Sequence, residues 1–276
     1  MIAVDLDGTL LRTDKSISEY TKSILSQCRE ADIKVVYATG RGGSAEKVAP
    51  ECLFDGRITM NGAVAYADNT LVYSRLIPYL IARPLLIACD QRGLKAASEI
   101  SGMHYSNFIT SELWTDINNY KLVDFSLHDI DAEKLYAHVE NPEDAAFIES
   151  QLPEELYLTV SNDGLAQIMH RDATKSRAVA ELARLWGITH SEVAAFGDDL
   201  NDIDMLSYAG IGVAMENALD EVKSAADFIC PGNDDDGVAT WISNNLMLKF
   251  DMTHIEHESL KDTLAVIVNK STIKPK

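Results

Sequence analysis

Cysteine, cationic side chains and long hydrophobic runs are all scarce in this sequence, and each scarcity excludes a class of protein. The four cysteines (Cys28, Cys52, Cys89 and Cys230) are scattered, with no C-x-x-C pair. They are therefore expected to be small core residues in a reducing compartment rather than a disulfide framework. Lysine and arginine together number 24 against 43 acidic residues, a net charge of −19. This balance argues against nucleic acid as a partner, because nucleic-acid affinity comes largely from cationic side chains on phosphates.

Nothing in the sequence resembles a membrane anchor or an export signal. The longest apolar stretch, residues 76–89, is interrupted by Pro78, Arg83 and Pro84 and is too short to span a bilayer. No signal-peptide pattern opens the sequence. We therefore expect a cytoplasmic protein with no membrane partner.

The remaining composition is that of a globular protein. With 276 residues, 46% of them hydrophobic and 24% charged, the chain can bury a core of one large domain or two smaller ones. The acidic balance is unfavourable for an anionic substrate, so any phosphate site must contain local positive charge.

The first residues carry the most informative motif. A short apolar run, 2–4, predicts a buried strand that stops at Asp5-Leu6-Asp7-Gly8-Thr9. Two carboxylates within three residues repel one another, and burying either is costly. A bound cation would offset that cost, so we interpret Asp5 as a nucleophile toward phosphorus held beside a hard cation.

Two other interpretations of this motif are structural. An EF-hand loop also begins D-x-D, but it requires glycine at its sixth position and glutamate at its twelfth. Leu10 and Ser16 occupy those positions, so a calcium loop is rejected. An acidic turn, in which the aspartates cap the following backbone, stays open on this motif alone.

Two further strands are predicted to end in polar clusters. A helix capped by Ser16 or Ser18 and running to about Glu30 separates the first strand from a second, 33–38, which ends in Thr39-Gly40-Arg41. A later strand, 193–196, ends in G-D-D-L-N-D at 197–202. Strand, helix and strand at this spacing form a right-handed βαβ unit, and parallel strands bring their carboxyl ends, where ligands bind, to one sheet edge.

These three clusters supply complementary chemistry. Asp5 and Asp198 provide the hard oxygen ligands that Mg²⁺ prefers. Attack by Asp5 on phosphorus would give an aspartyl-phosphate. Asp7 is then placed to protonate the leaving oxygen and later to deprotonate the attacking water.

Other residues are candidates for holding the phosphate. Thr39 and the Gly40 N–H can hydrogen-bond phosphoryl oxygens, although Thr-Gly is also an ordinary strand exit. Lys175 begins a predicted helix, and the amino-terminal end of a helix disfavours cations. Lys175 is therefore either a functional exception to this rule or a solvated surface lysine. Asp202 can orient a metal ligand from the second shell, and Asp199 is interpreted as a bystander.

The combined motifs resemble those of the haloacid dehalogenase superfamily of phosphatases. They are D-L-D-G-T-L-L, A-T-G-R, a lysine before a helix, and G-D-D-L-N-D-I-D-M-L. Residues 212–218 and 233–239 are similar to the Cof-type subfamily, as is the length of the insertion between the second and third motifs. The resemblance covers about residues 1–247. It departs around Lys175, where members commonly have glycine and a small polar residue, and this sequence reads Asp172-Ala173-Thr174-Lys175-Ser176.

The resemblance implies a phosphomonoesterase for sugar phosphates or similar small metabolites, with a Rossmann-like doubly wound α/β core and an inserted α+β cap. The core would comprise 1–78 and 172–276, and the cap 79–171; the tail 249–276 is not placed. Asp5, Asp7 (through its carbonyl) and Asp198 would bind Mg²⁺. Thr39, Gly40, Lys175, Asn201 and the backbone of Leu6 would hold phosphate.

Several alternatives stay open. Some relatives with similar caps are phosphosugar mutases, and a non-catalytic module that binds small molecules is a third reading. Within the cap, helical patterns are predicted at 79–92 and 131–150. A polar and aromatic cluster of His104, Tyr105, Asn107, Phe108 and Trp114 could touch the leaving group or simply form cap core and surface. The acidic segment 232–237 is interpreted as a turn before a helix rather than a calcium loop.

Overall fold

The opening strand lies in the middle of a mostly parallel sheet. A computed structural model describes residues 1–115, 117–161 and 163–246. The strands are β1 (Ile2–Val4), β2 (Val35–Ala38), β3 (Gly56–Thr59), β4 (Val64–Ala67), β5 (Thr70–Ser74), β6 (Lys95–Ile100), β7 (Met103–Ser106), β8 (Tyr120–Leu122), β9 (Lys134–His138), β10 (Leu156–Val160), β11 (Leu165–His170), β12 (Ala194–Gly197), β13 (Ile211–Met215) and β14 (Phe228–Cys230). The helices are α1 (Glu19–Glu30), α2 (Tyr79–Gln91), α3 (Pro142–Gln151), α4 (Lys175–Leu185), α5 (Ile203–Tyr208), α6 (Asp220–Ala225) and α7 (Gly237–Asn245).

Contacts between Cα atoms divide the chain into two units. The first, here called the core unit, contains residues 1–73 and the described residues from Thr174 onward; the second, the inserted unit, contains Ser74–Ala173. The core unit contains an eight-stranded sheet, in the order β14-β13-β12-β1-β2-β3-β4-β5. From β14 to β3 all neighbouring strands are parallel, and β4 is antiparallel to β3.

Local sequence explains how the core unit begins. All three residues of β1 are buried, as expected for a parallel strand covered on both faces. Ser18 caps α1 by accepting a hydrogen bond from the N–H of Thr21 at 3.0 Å, which confirms one of the two predicted caps. The helix then buries the apolar residues Ile24, Leu25 and Cys28, so β1, α1 and β2 form the predicted βαβ unit.

The inserted unit is an α+β structure with its own core. Its six-stranded sheet has the order β10-β11-β9-β6-β7-β8, and every neighbouring pair is antiparallel except β7 and β8. Apolar residues of α2 and α3 pack with one face of this sheet, among them Leu85, Leu86 and Ile148. The α+β class predicted for the insertion is therefore observed.

One predicted helix of the insertion is wrong in its first half. Residues 131–150 are not one helix, because 134–138 form β9 and α3 begins only at Pro142. Leu135 and Ala137 pack in the cluster that contains α2 and α3, while Tyr136 packs in a second cluster on the other face. A strand buried on both faces has no polar alternation, so its apolar run is indistinguishable from a buried helix by periodicity.

Two other sequence predictions concern the chain as a whole. Among the described residues, no helix has both the length and the apolar character needed to cross a bilayer. All four cysteines are free of disulfides, and three of them are buried. The tail 249–276, with its apolar patch at 264–268, lies outside the described residues.

Candidate active site

The first three predicted clusters meet at one edge of the core sheet. β1 lies between β2 and β12, and Val4 pairs with both Tyr37 and Phe196. The residues that follow these positions, including Asp5 and Asp198, therefore leave the sheet side by side. This is the carboxyl edge of the parallel strands, where ligands of α/β sheets bind.

Lys175 provides the positive charge that the acidic composition requires. Its side chain is fully buried, and its Nζ donates to Oδ1 of Asp5 at 2.7 Å and to Oδ1 of Asp202 at 2.6 Å. Thr174 caps α4 by accepting from the N–H of Arg177, so α4 begins at Lys175 as the sequence predicts. The alternative of a solvated surface lysine is excluded.

Asp202 and Asp198 complete the acidic centre. Asp202 is fully buried, and its Oδ2 accepts hydrogen bonds from the backbone N–H groups of Asp198 and Asp199 at 3.0 and 3.1 Å. Oδ1 of Asp198 accepts from the Thr9 hydroxyl at 2.6 Å. Asp202 therefore fixes the turn after β12, while Thr9 fixes the Asp198 carboxylate.

Charge in this centre is unbalanced. Asp5, Asp198 and Asp202 offer ligand oxygens that all lie within 4.8 Å of one another. The two buried carboxylates, Asp5 and Asp202, share the ammonium of Lys175. Burial raises the pKa of Asp5 above its usual range, although Lys175 opposes the shift. Burial also raises the pKa of Asp198 to about 6. Burial lowers the pKa of Lys175, but the attraction of Asp5 and Asp202 outweighs it, so that the pKa is raised overall.

The donor set fits a hard divalent cation. Three carboxylates against one ammonium leave a formal excess of two negative charges, and carboxylate oxygens are the ligands of Mg²⁺. Among the described residues, this is the one group of three or more His, Cys, Asp or Glu side chains close enough to hold a metal. A cation bound there would reverse the pKa increases that burial and mutual repulsion produce.

Asp7 lies in a different electrostatic environment from Asp5. Its carboxylate accepts hydrogen bonds from both Nε and Nη2 of Arg41, the latter at 2.6 Å, and from Nζ of Lys15 at 2.9 Å. The hydrogen bonds from Arg41 are the largest cause that lowers the pKa of Asp7 to about 2. In this arrangement Asp7 is an ionised carboxylate, so it can donate a proton only after these cations release it. Neither Lys15 nor Arg41 was assigned a role from the sequence; Arg41 was detectable as the third residue of Thr-Gly-Arg.

The other predicted phosphate-binding residues lie on the segments that follow β1, β2 and β12 at this edge of the sheet. Thr39 is buried at the end of β2, and its hydroxyl accepts from the N–H of Arg41 at 3.2 Å. The Leu6 side chain is fully buried, so only its backbone can contribute. Asn201 is exposed, and its amide donates to Oδ1 of Asn61 at 2.9 Å. Gly40 lies against the same atom, since a Cβ on Gly40 would come within 2.9 Å of Oδ1.

The acidic turn holds the loop that follows β1. Asp236 precedes α7 with a left-handed φ of 54° and accepts from Nη2 of Arg12 at 2.6 Å. Asp234 accepts from both the backbone N–H and the hydroxyl of Thr13, at 2.8 and 2.7 Å. The same loop is also bonded through backbone carbonyls, by Asn217 to Gly8 and by Asn233 to Leu11. The interpretation of 232–237 as a structural turn is therefore confirmed.

Members of the polar and aromatic cluster in the inserted unit contribute to its packing. Trp114 makes edge contacts with Phe108 and Tyr136, and the Tyr136 hydroxyl hydrogen-bonds Nδ1 of His104 at 2.8 Å. Asn107 bonds the backbone of Leu94 and Ala96. These contacts agree with the cap-core reading and leave a role toward the leaving group as a prediction.

The geometry can be compared with known proteins. A sequence profile of haloacid dehalogenase-like hydrolases matches residues 2–242. The chain belongs to this family. Its resemblance to the superfamily, predicted from the four motifs, is thereby confirmed.

Relatives of this haloacid dehalogenase-like hydrolase include phosphatases of Bacillus subtilis (strain 168). It is 28% identical to the putative phosphatase YxeH over 276 residues, which cover 90% of this chain and 99% of YxeH. It is 30% identical to the 5-amino-6-(5-phospho-D-ribitylamino)uracil phosphatase YcsE over 249 residues, 87% of this chain and 92% of YcsE. The prediction that the chain is a phosphatase is confirmed by such relatives.

Solved structures give the same result for the fold. BT1666 from Bacteroides thetaiotaomicron, a phosphatase of the superfamily, superposes with a TM-score of 0.76 at 26% identity, over 88% of this chain and 93% of that one. The subclass IIB sugar phosphatase BT4131 superposes with a TM-score of 0.73 at 25% identity, over 88% and 97%. The predicted fold class, a Rossmann-like α/β core with an α+β insertion, is confirmed.

Proposed function

We propose that this phosphatase hydrolyses small phosphate monoesters, sugar phosphates or similar metabolites, with Mg²⁺ and through an aspartyl-phosphate on Asp5. The observation that carries the proposal is the buried Lys175 ammonium, which contacts Asp5 and Asp202 beside Asp198. The ammonium fixes Oδ1 of Asp5, and Asp5 directly follows β1 at the carboxyl edge of the sheet. YcsE and BT4131, whose names give a phosphoribitylamino-uracil and sugar phosphates as substrates, support the substrate class.

In the first step, an oxygen of Asp5 attacks phosphorus and the bond from phosphorus to the ester oxygen breaks. The leaving oxygen takes a proton from Asp7. In the second step water attacks phosphorus, Asp7 accepts its proton, and phosphate departs while the Asp5 carboxylate is restored. Asp5, the Asp7 carbonyl and Asp198 would hold Mg²⁺, and Asp202 would orient a ligand of the ion rather than contact the ion itself. When bound, that ion would screen the charges of carboxylate and phosphate so that one anion can approach the other.

Substrate binding can change the protonation of Asp7. An anionic phosphoryl group competes with Asp7 for Lys15 and Arg41, the two cations that hold its carboxylate. Loss of these hydrogen bonds and the negative charge of the bound phosphoryl group would both raise the pKa of Asp7, so that its carboxylate can take up a proton from water before giving it to the leaving oxygen. The proton-donor role predicted for Asp7 therefore depends on this exchange.

The remaining phosphate ligands are proposed at the positions predicted from the sequence. Thr39, Gly40, Lys175, Asn201 and the Leu6 N–H would contact phosphoryl oxygens. The inserted unit is proposed as the cap that selects the leaving group. The cytoplasmic location stays a prediction.

The test is a phosphate-release screen over sugar phosphates, nucleotides and cofactor phosphates, with Mg²⁺ and with EDTA. We expect Mg²⁺-dependent release that Asp5→Asn abolishes. The matched control is Asp199→Asn, because Asp199 caps the neighbouring turn, a role that asparagine also performs. Release in EDTA, or by Asp5→Asn, would contradict the proposal. Isomerisation of a sugar phosphate without net phosphate release would instead identify the mutase alternative.

A further inference from the structure

Between β3 and β4 the backbone of the core unit is strained. Met60, Asn61 and Gly62 have consecutive positive φ angles of 51°, 52° and 97°. Met60 is almost completely buried, and a left-handed backbone is unusual for such a residue. Strain of this kind costs energy and persists only where surrounding contacts enforce it, often at functional sites.

Backbone contacts join this loop to two of the predicted site segments. The N–H of Met60 donates to the Arg41 carbonyl and the N–H of Asn61 to the Thr39 carbonyl, each at 3.0 Å. A Cβ on Gly62 would lie 2.1 Å from the Thr174 carbonyl oxygen, so only glycine allows this approach to the cap of α4. The strained loop is thus held between the end of β2 and the start of the helix that carries Lys175.

The Asn61 side chain reaches a third segment. Its Oδ1 accepts from the Asn201 amide at 2.9 Å and lies against Gly40. Asn201 is exposed, so without this bond its side chain would be free to change rotamer. An amide nitrogen has two N–H donors. When Asn61 accepts from one, the other is oriented for a second acceptor.

We propose that Asn61 is a positioning residue, which orients the Asn201 amide and the Gly40 backbone toward the phosphoryl group. This inference rests on the function proposed above, because it treats Asn201 and Gly40 as phosphate ligands. When a phosphate-binding group of the protein is already oriented, the entropy of fixing it is not lost on binding. The competing explanation is that Asn61 is asparagine only because asparagine tolerates left-handed backbone.

Replacement by glycine separates these explanations. Asn61→Gly removes the amide but accepts the left-handed backbone without strain. We expect little change in Tm, because relief of the backbone strain offsets the greater entropy of the unfolded chain and the lost hydrogen bond to Asn201. KM and the inhibition constant of inorganic phosphate should rise about five-fold, the effect of about one net hydrogen bond. Phosphate binding is also measured by calorimetry in Mg²⁺, which does not depend on turnover.

The matched control is Asn69→Gly. Asn69 also has a left-handed φ, of 62°, but it follows β4, whose last residue Ala67 pairs with Gly56 at the start of β3. It therefore lies at the opposite edge of the sheet, and its replacement should leave phosphate binding unchanged. A second control combines Asn61→Gly with Asn201→Ala. If Asn61 acts mainly through Asn201, the double variant should bind phosphate about as weakly as Asn201→Ala alone.

Each outcome decides the inference. Unchanged phosphate binding in Asn61→Gly, with an active wild type, overturns the positioning role and leaves the proposed function intact. Fully additive losses in the double variant overturn the action through Asn201. A wild type that neither hydrolyses esters nor binds phosphate overturns the proposed function and this inference together.

Discussion

Asp198→Asn should stabilise the metal-free protein while abolishing its response to Mg²⁺. The change removes one of three clustered carboxylates but retains an oxygen that can accept from the Thr9 hydroxyl, as Asp198 does. Since the pKa of Asp198 is raised, its ionisation favours the unfolded chain at neutral pH. Removing that ionisation should therefore raise the free energy of unfolding.

The magnitude follows from the pKa. A rise from 3.8 to about 6 is about two units, worth about 3 kcal/mol in a fully buried site. Because Asp198 is only partly buried, solvent screening reduces this to about 1–2 kcal/mol. Because the pKa of Asp198 is raised in the folded state, its ionisation lowers the free energy of unfolding of the wild type. This loss is absent below pH 3.8 and complete above about pH 6. The advantage of the variant should therefore be smaller at pH 5 than at pH 8.

Urea denaturation in EDTA, at pH 5 and pH 8, measures this difference, and a repeat in Mg²⁺ tests the site. We expect Mg²⁺ to stabilise the wild type by mass action and to leave Asp198→Asn nearly unchanged. A variant that is less stable than wild type in EDTA at pH 8 would contradict this prediction. It would mean that burial and the neighbouring carboxylates do not disfavour the ionised form of Asp198.

Two further predictions concern charge pairs of the core unit. Lys175→Met should destabilise the metal-free protein by about 3 kcal/mol at pH 8, because it leaves buried carboxylates without their cation. The loss should be smaller at pH 5, where these carboxylates can take up protons. Equal losses of unfolding free energy at pH 5 and pH 8, measured by urea denaturation, would contradict this. Arg12→Ala should lower kcat several-fold by releasing the loop after β1 from Asp236, whereas Arg92→Ala, which breaks a similarly exposed pair with Asp144, should not. Equal kcat values for the two variants in steady-state assays would exclude a role for this pair.

The sequence predicted the parts of the site that depend on strand ends. Parallel strands must bring their carboxyl ends together, so Asp5, Thr39 and Asp198 could be placed at one edge from their order alone. Lys175 could be singled out as a candidate, because a cation at a helix start breaks a local rule, but only the structure excluded a surface lysine. These inferences needed no knowledge of side-chain packing.

Other features depended on contacts that no local pattern records. The hydrogen bonds from Lys15 and Arg41 to Asp7 involve loops whose conformation follows from tertiary structure. Asn61 stands in Met60-Asn61-Gly62, a segment to which the sequence assigned no functional role. Its contact with Asn201 joins residues 140 positions apart. The burial of β9 on both faces is also a tertiary property, and without it residues 134–138 were predicted as part of a helix.

The central claim is that Asp5 carries the phosphoryl group between the two steps. The direct measurement is to acid-quench the enzyme during turnover, reduce it with borohydride, and locate the modified residue by mass spectrometry. Borohydride converts an aspartyl-phosphate to homoserine, so we expect homoserine at position 5 after turnover and none when substrate is omitted. Phosphate release with unmodified Asp5, or modification of another residue, would contradict it.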